Sequence, residues 1–160
     1  LELSETKSLP RVASIQNAYN LVNRGFEIGL SEIAMQEQVG LLAYSPLAQG
    51  TLTGKYLNGQ MPQGSRLALF GDTPLMMRYK GDKTQQAIEM YVEVAKKFEI
   101  DPTQLAIQFC NIQPFVTSNI IGATTMEQLK ICIDSIHLDI NKEIMNEIRK
   151  VHKEIPNPAP

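Results

Sequence analysis

Strands alternating with helices predict an α/β fold built on a short parallel sheet, and three stretches of the chain carry that reading. RVASIQNAYN begins apolar and β-branched at Val12 and Ile15 and runs out into Gln16, Asn17 and Asn20, as a buried strand entering a loop does. Leu41-Leu42-Ala43-Tyr44 is an uninterrupted apolar run of the kind buried on both faces of a parallel sheet. TSNIIGATT places a third strand at Asn119 to Ile121, broken by Gly122. The coarse order is β-α-β-loop-α-α-β-α-α. Three strands cannot close a barrel, and they leave two hydrogen-bonding edges unpaired.

The helices follow from spacing and caps. From Phe26 to Gln38, Ile28, Leu30, Ile33 and Ala34 recur near helical spacing among Glu27, Glu32 and Glu37, and Gly40 stops the helix. Pro46 to Gly81 is rich in glycine, holds Pro46, Pro62 and Pro74, and has no sustained period, so it reads as a long loop of the functional or mobile kind. Asp82 caps a helix striped by Ile88, Tyr91, Val92, Ala95 and Phe98. Asp101-Pro102 supplies an N-cap and a first-turn proline for a helix carrying Leu105, Ile107, Phe109 and Ile112, which Pro114 ends. Thr124 and Glu127 have capping-box spacing before Leu129, Ile131, Ile133 and Ile136. A last helix is capped by Asn141, striped by Ile144, Ile148 and Val151, and followed by IPNPAP.

With 160 residues, 43% hydrophobic, 20% charged and net charge -2, the composition is that of one globular domain spanning 1–160. Neither a basic run nor a long apolar stretch is present, which argues against nucleic acid and membrane as partners and predicts a cytoplasmic protein. Cys110 and Cys132 have no CxxC spacing and read as small buried hydrophobes, so no metal site is expected. The opening LELSETKSLP has neither an initiator Met nor a signal pattern, and it reads as the middle of a longer chain.

Ligands of parallel α/β folds sit beyond the carboxyl ends of the strands. Here those ends read Gln16-Asn17, Tyr44-Ser45-Pro46 and Gly122-Ala123-Thr124, each polar or small. Gly122 to Thr125 put backbone N–H groups and two hydroxyls at a helix start, a geometry suited to phosphate, and Lys55 and Arg66 can add positive charge. On spacing alone a plain strand-to-helix turn capped by Thr124 stands open and is the simpler reading, as is a core role for Tyr44.

IQNAYN, AYSPLAQGTLTGKY and IIGATTMEQL, in that order and at these separations, resemble the carboxyl-terminal half of an aldo-keto reductase, and more narrowly the family's Tas-type bacterial members, which share the long loop and the final PAP. The resemblance implies part of an eight-stranded (β/α)8 TIM barrel, its C-terminal half with about three parallel strands, binding NADPH and reducing aldehydes and ketones by hydride transfer. It implies that Tyr44 stacks on the nicotinamide and Gln16 binds its carboxamide. Ser45, Pro46, Leu47 and Ala48 would run along the pyrophosphate, with Lys55 and Arg66 closing over the dinucleotide. Gly122, Thr124 and Gln128 would hold the 2'-phosphate end. Where related members carry a glutamate and an asparagine toward adenine, this chain has Ile131 and Cys132.

The family's catalytic Asp, Tyr, Lys and His come from the other half of the barrel, and no residue of this chain matches them. Tyr19, Tyr44, Tyr56, Tyr79 and Tyr91 do not match the proton-donating tyrosine, and His137 and His152 read as structural or solvent-facing. The resemblance therefore implies an oxidoreductase that acts on a small carbonyl compound once a missing half completes it, with no catalytic residue in this chain. A second chain or self-association could complete the barrel. The alternative is a non-catalytic nucleotide- or partner-binding half-barrel, of the kind that the family's potassium-channel β subunits suggest.

Overall fold

The computed structural model describes all 160 residues. After a short helix α1 (Glu2–Thr6), strands β1 (Ser14–Ala18), β2 (Gly40–Tyr44) and β3 (Val116–Ile120) form one parallel sheet in the order β1-β2-β3. Helix α2 (Leu30–Gln36) crosses from β1 to β2. Between β2 and β3 lie two short helices, α3 (Arg66–Phe70) and α4 (Pro74–Met77), and two long ones, α5 (Asp82–Lys97) and α6 (Pro102–Asn111). Helices α7 (Met126–Asp134) and α8 (Lys142–Glu154) follow β3. No helix is long and apolar enough to cross a membrane.

The sheet has one covered face. Side chains alternate along a strand, so Leu41 and Ala43 point into the helix layer, where both are fully buried. From β3, Asn119 joins them on that side, donating through Nδ2 to the Ile107 carbonyl and to Asn111 Oδ1, both at 3.2 Å. In register on the opposite face are Gln16, Leu42 and Ser118, then Ala18, Tyr44 and Ile120. Gln16, Ser118 and Ile120 there are exposed, Leu42 and Tyr44 half-buried, and Ala18 buried. The two-sided burial expected of Leu41–Tyr44 thus holds on one side only, because every crossover helix packs on the same face.

Several boundaries differ from the sequence expectation. Of the helix expected over Phe26–Gln38 only α2 forms, preceded by a 3-10 turn at Gly25–Glu27. Its apolar stripe is not a core face: Ala34 is buried while Ile28 is 76% exposed and Leu30 and Ile33 lie open. Gly40 does not stop this helix. The chain reverses at Gln38, and Gly40 begins β2 where a Cβ would fall 1.7 Å from Thr117 Oγ1 and 2.9 Å from Thr117 Cβ, so glycine is required by the close approach of β3. Gly81, not Asp82, precedes α5 as N-cap, leaving Asp82 in the first turn to complement the helix dipole. The third strand lies earlier than Asn119–Ile121. The capping pair expected at Thr124 and Glu127 is shifted one residue, with Thr125 Oγ1 accepting from Gln128 N at 3.2 Å. As expected, Asp101 caps α6, Asn141 caps α8, and both cysteines are buried.

Tyr19, directly after β1, is fully buried, stacked on Phe109 and edge-on to Phe115. Its hydroxyl donates to Glu27 Oε1 at 2.5 Å, and Arg24 binds the same carboxylate through Nε at 2.6 Å and Nη2 at 2.8 Å. Burial alone would raise the pKa of Glu27, but the bonds from Arg24 and Tyr19 outweigh it and hold Glu27 below the usual carboxylate range. The chain end closes over this group: Asn157 Oδ1 accepts from Arg24 N at 2.7 Å, Ala159 N donates to the Val22 carbonyl at 3.1 Å, and Thr84 Oγ1 donates to the Pro158 carbonyl at 2.9 Å. His152 of α8 is held below its usual pKa of 6.5 by burial and by the charge of Arg24, with Glu27 opposing.

Three tests follow from this packing. Gly40→Ala is expected to cost about 1–3 kcal/mol by overpacking, with Thr117→Ala recovering part of the loss; additive losses in urea denaturation would contradict the contact. Tyr19→Phe should cost about 1.5–3 kcal/mol, the range for a hydrogen bond to a charged group. His152 binds protons less readily folded than unfolded, so stability should fall as pH drops from about 6.5 through its lowered folded value. Urea midpoints measured for His152→Gln should lose that part of the slope, and an unchanged slope would exclude the residue.

Candidate functional site: the cleft at the carboxyl ends of the strands

The chain leaves β2 through a turn that ordinary residues seldom adopt. Ser45, Ala48 and Gln49 all have positive φ, at 56°, 49° and 59°, and Gly50 follows at 91°. Such conformations cost roughly 1–3 kcal/mol each and persist where the surroundings over-determine them. Asn20 is the main constraint. Fully buried, it donates through Nδ2 to the Ser45 carbonyl at 2.9 Å while its Oδ1 accepts from Val22 N at 3.0 Å. The Ser45 carbonyl also accepts from Ala48 N at 2.9 Å, and Thr51 Oγ1 donates to the Ala48 carbonyl at 2.8 Å.

This turn floors a cleft of about 570 Å³. Tyr44, Ser45, Pro46 and Leu47 line one wall, Lys55 and Arg66 reach in from the loop, and Gly122, Thr124 and Gln128 line the wall beyond β3. Nine of the eleven residues expected at a cofactor site therefore meet around one opening. Ala48 lies beneath it, fully buried, and contributes to the turn from below. Gln16 is outside the cleft lining, one pleat below Tyr44 on the uncovered sheet face. Ile131 and Cys132 both line the far end; burial, with Asp101 adding to it, raises the Cys132 pKa, so this thiol is neutral there.

The electrostatics are one-sided. Lys55 and Arg66 are the only charged residues in the lining, and neither takes part in an ion pair. The Lys55 ammonium lies 5.1 Å from the Tyr56 ring centroid and arches over Gly50, where a Cβ would come within 3.2 Å of both Cε and Nζ. Glycine thus serves both the positive φ and the lysine's passage. Arg66 donates through Nη1 to Gln49 Oε1. At the start of α7, Gln128 Oε1 accepts from Thr124 N at 3.0 Å and from Thr124 Oγ1 at 3.1 Å. A basic cleft with no carboxylate in its lining suits an elongated anion.

Asn20 and Gln49 were not expected from the sequence. The signal for Asn20 was its place in NAYN directly after a strand, and for Gln49 its place between small residues where a long side chain is out of keeping. A second cavity of about 650 Å³, lined by Tyr56, Met61, Leu67, Phe70, Asp72 and Lys80 among others, lies beneath the loop and includes no strand end. No group of His, Cys, Asp and Glu side chains is placed to hold a metal ion.

Comparison with known proteins bears on this geometry. The model of the aldo/keto reductase family matches residues 1–153. The chain is 49% identical over 160 residues to Protein tas of Escherichia coli K12, covering all of this chain and 45% of that protein. It is 34% identical over 161 residues to an aldo-keto reductase of Babesia bovis, covering 94% of this chain and 55% of the relative. The solved glycerol dehydrogenase of Gluconobacter oxydans superposes with a TM-score of 0.73 at 19% identity, over 98% of this chain and 47% of its own. The chain spans about half the length of these relatives. Sequence and fold together place this chain in the aldo-keto reductase family.

Proposed function

We propose that the cleft binds NADPH and that the chain is the nucleotide-binding part of a cytoplasmic oxidoreductase acting on small aldehydes or ketones. The observation that carries this reading is the pair of cations, Lys55 and Arg66, set without any carboxylate around a floor of small residues in a chain of net charge -2. A dinucleotide diphosphate has the length and the charge to use both ends of the opening.

The residues fit the cofactor's parts. Ser45 to Leu47 would hold the pyrophosphate, with Ala48 supporting their turn from below and Lys55 and Arg66 neutralising the charge. Gly122, Thr124 and Gln128 would hold the 2'-phosphate, for which NADPH is preferred to NADH in this proposal. Ile131 and Cys132 would give adenine an apolar wall without a side-chain amide or carboxylate to read it. Tyr44 would support one face of the nicotinamide, and Gln16, on the same sheet face, would take the carboxamide. The cofactor supplies the hydride delivered to a carbonyl carbon. The proton for the carbonyl oxygen needs a general acid within hydrogen-bond reach. Tyr19, Tyr56, Tyr79 and Tyr91 are buried and neither histidine lines the cleft, which favours a donor from outside this chain. The same observation favours, as a second reading, nucleotide binding without turnover, the barrel being completed by a partner chain or a second copy.

Titration of the chain with NADPH, read by cofactor fluorescence or calorimetry, is expected to show binding. Lys55→Ala and Arg66→Ala should each weaken it by roughly tenfold or more, the order of one charge-assisted hydrogen bond. Tyr44→Ala should weaken it too, and absence of binding by the unmodified chain would overturn the proposal. An aldehyde added to the NADPH-loaded chain should remain unreduced. Light scattering on the same sample separates a monomer from a self-associated form, and turnover by the monomer would place a general acid in this chain after all.

A further inference from the structure

Gln49 is the cleft residue that ties two others together. Its side-chain Nε2 donates to Ser45 Oγ at 2.9 Å, and its Oε1 accepts from Arg66 Nη1. Ser45 directly follows β2, whereas Arg66 opens α3 in the long loop, so the amide links the turn after the strand to the start of that helix, which Leu67 N also ties to the Tyr56 hydroxyl at 3.4 Å. Opposite, a Cβ at Gly122 would lie 3.8 Å from Arg66 Nη2. The guanidinium therefore extends from Gln49 toward the wall beyond β3, across the middle of the opening. The contact between Gln128 and Thr124 is local, spanning four residues at a helix cap, while the Gln49–Arg66 bond joins residues seventeen apart.

An amide oxygen is a neutral acceptor. A phosphate presents charge and two oxygens to the same planar donor, and guanidinium groups favour that arrangement. We infer that Gln49 is a latch whose amide oxygen occupies Arg66 in place of a phosphate oxygen, holding Gly64, Ser65 and Arg66 of the 57–73 segment at the cleft until the diphosphate of a nucleotide takes the guanidinium over. The inference rests on the nucleotide reading of this cleft and adds a positioning residue to it: Gln49 acts through Arg66, not through the ligand.

A latch and a direct ligand contact predict different variants. Gln49→Met keeps the length of the side chain and removes both hydrogen bonds. It should free Arg66, speed amide hydrogen exchange of residues 57–73 several-fold in the unliganded chain, and leave NADPH affinity equal or tighter, because no amide has to be displaced. Gln49→Glu should pair with Arg66, slow exchange of the same segment, and weaken NADPH and inorganic pyrophosphate by roughly tenfold, the order of a charged hydrogen bond. That weakening should shrink as salt is added.

The experiment is hydrogen exchange read by mass spectrometry on wild type, Gln49→Met, Gln49→Glu and Arg66→Ala, followed by titration with NADPH and with inorganic pyrophosphate. Peptides from α5 and α6 report global stability, and if Gln49→Met loosens those as well, Gln49→Glu decides. Unchanged exchange over 57–73 in the informative variant overturns the latch. So does a loss of NADPH affinity in Gln49→Met equal to that in Arg66→Ala, which would make Gln49 a ligand contact. Failure of every form to bind NADPH or pyrophosphate, wild type included, overturns the nucleotide reading itself.

Discussion

The buried side chain of Asn20 is the constraint on which the cleft depends. It is the one group that reaches from the loop after β1 to the turn after β2, and both of its amide atoms are used. Its backbone pairs with Asn23 in a small antiparallel bridge, which turns the loop back and presents Tyr19, Arg24 and Phe26 to the helix layer. An unpartnered amide at zero exposure would cost about 1–3 kcal/mol, so Asn20 and the positive-φ segment support each other. The Tyr19–Glu27–Arg24 group and the docked chain end then fix the loop from the other side. A left-handed Ser45 is tolerable only because so much around it is fixed.

From that turn the electrostatic character of the cleft follows. Ser45, Pro46, Leu47, Gln49 and Gly50 line the floor with Ala48 buried beneath them, and the loop returns over them with Lys55 and Arg66. The chain as a whole is slightly acidic, yet its carboxylates are engaged elsewhere or face solvent on the helices, and none enters the opening. Both cations are thus available to an anion rather than to each other's counter-ions. The uncovered sheet face beside them carries Gln16, Leu42, Ser118 and Ile120, a mixed surface with no element of this chain packed on it.

Much of this was legible in the residue order. Three strands, their parallel arrangement and the caps at Asp101 and Asn141 follow from local rules: an apolar run, an aspartate before Pro102, an asparagine before a periodic stripe. Helix α2 was misjudged because periodicity reports that a face is apolar and says nothing of whether anything covers it; Ile28, Leu30 and Ile33 keep the spacing and remain exposed. Gly40 starts a strand and does not end a helix for a related reason. Its requirement comes from Thr117, a residue far away in sequence, and no local pattern records such an approach. The one-residue shift of the α7 cap is the ordinary ambiguity of two adjacent threonines, resolved when the backbone of Gln128 found Thr125.

The cleft divides in the same way. By itself the sequence determined which residues end the strands, that those ends are small or polar, and that the loop between Pro46 and Gly81 supplies the cations, because each of these is a matter of composition at a position along the chain. Only the tertiary structure decided that Lys55 passes over Gly50, that Arg66 reaches Gln49, that Ala48 lies below the floor, and that Asn20 holds the turn. These depend on contacts between segments distant in sequence and on backbone conformations that neighbouring residues do not dictate. Packing across the strand ends selects them, and packing is a property of the folded chain.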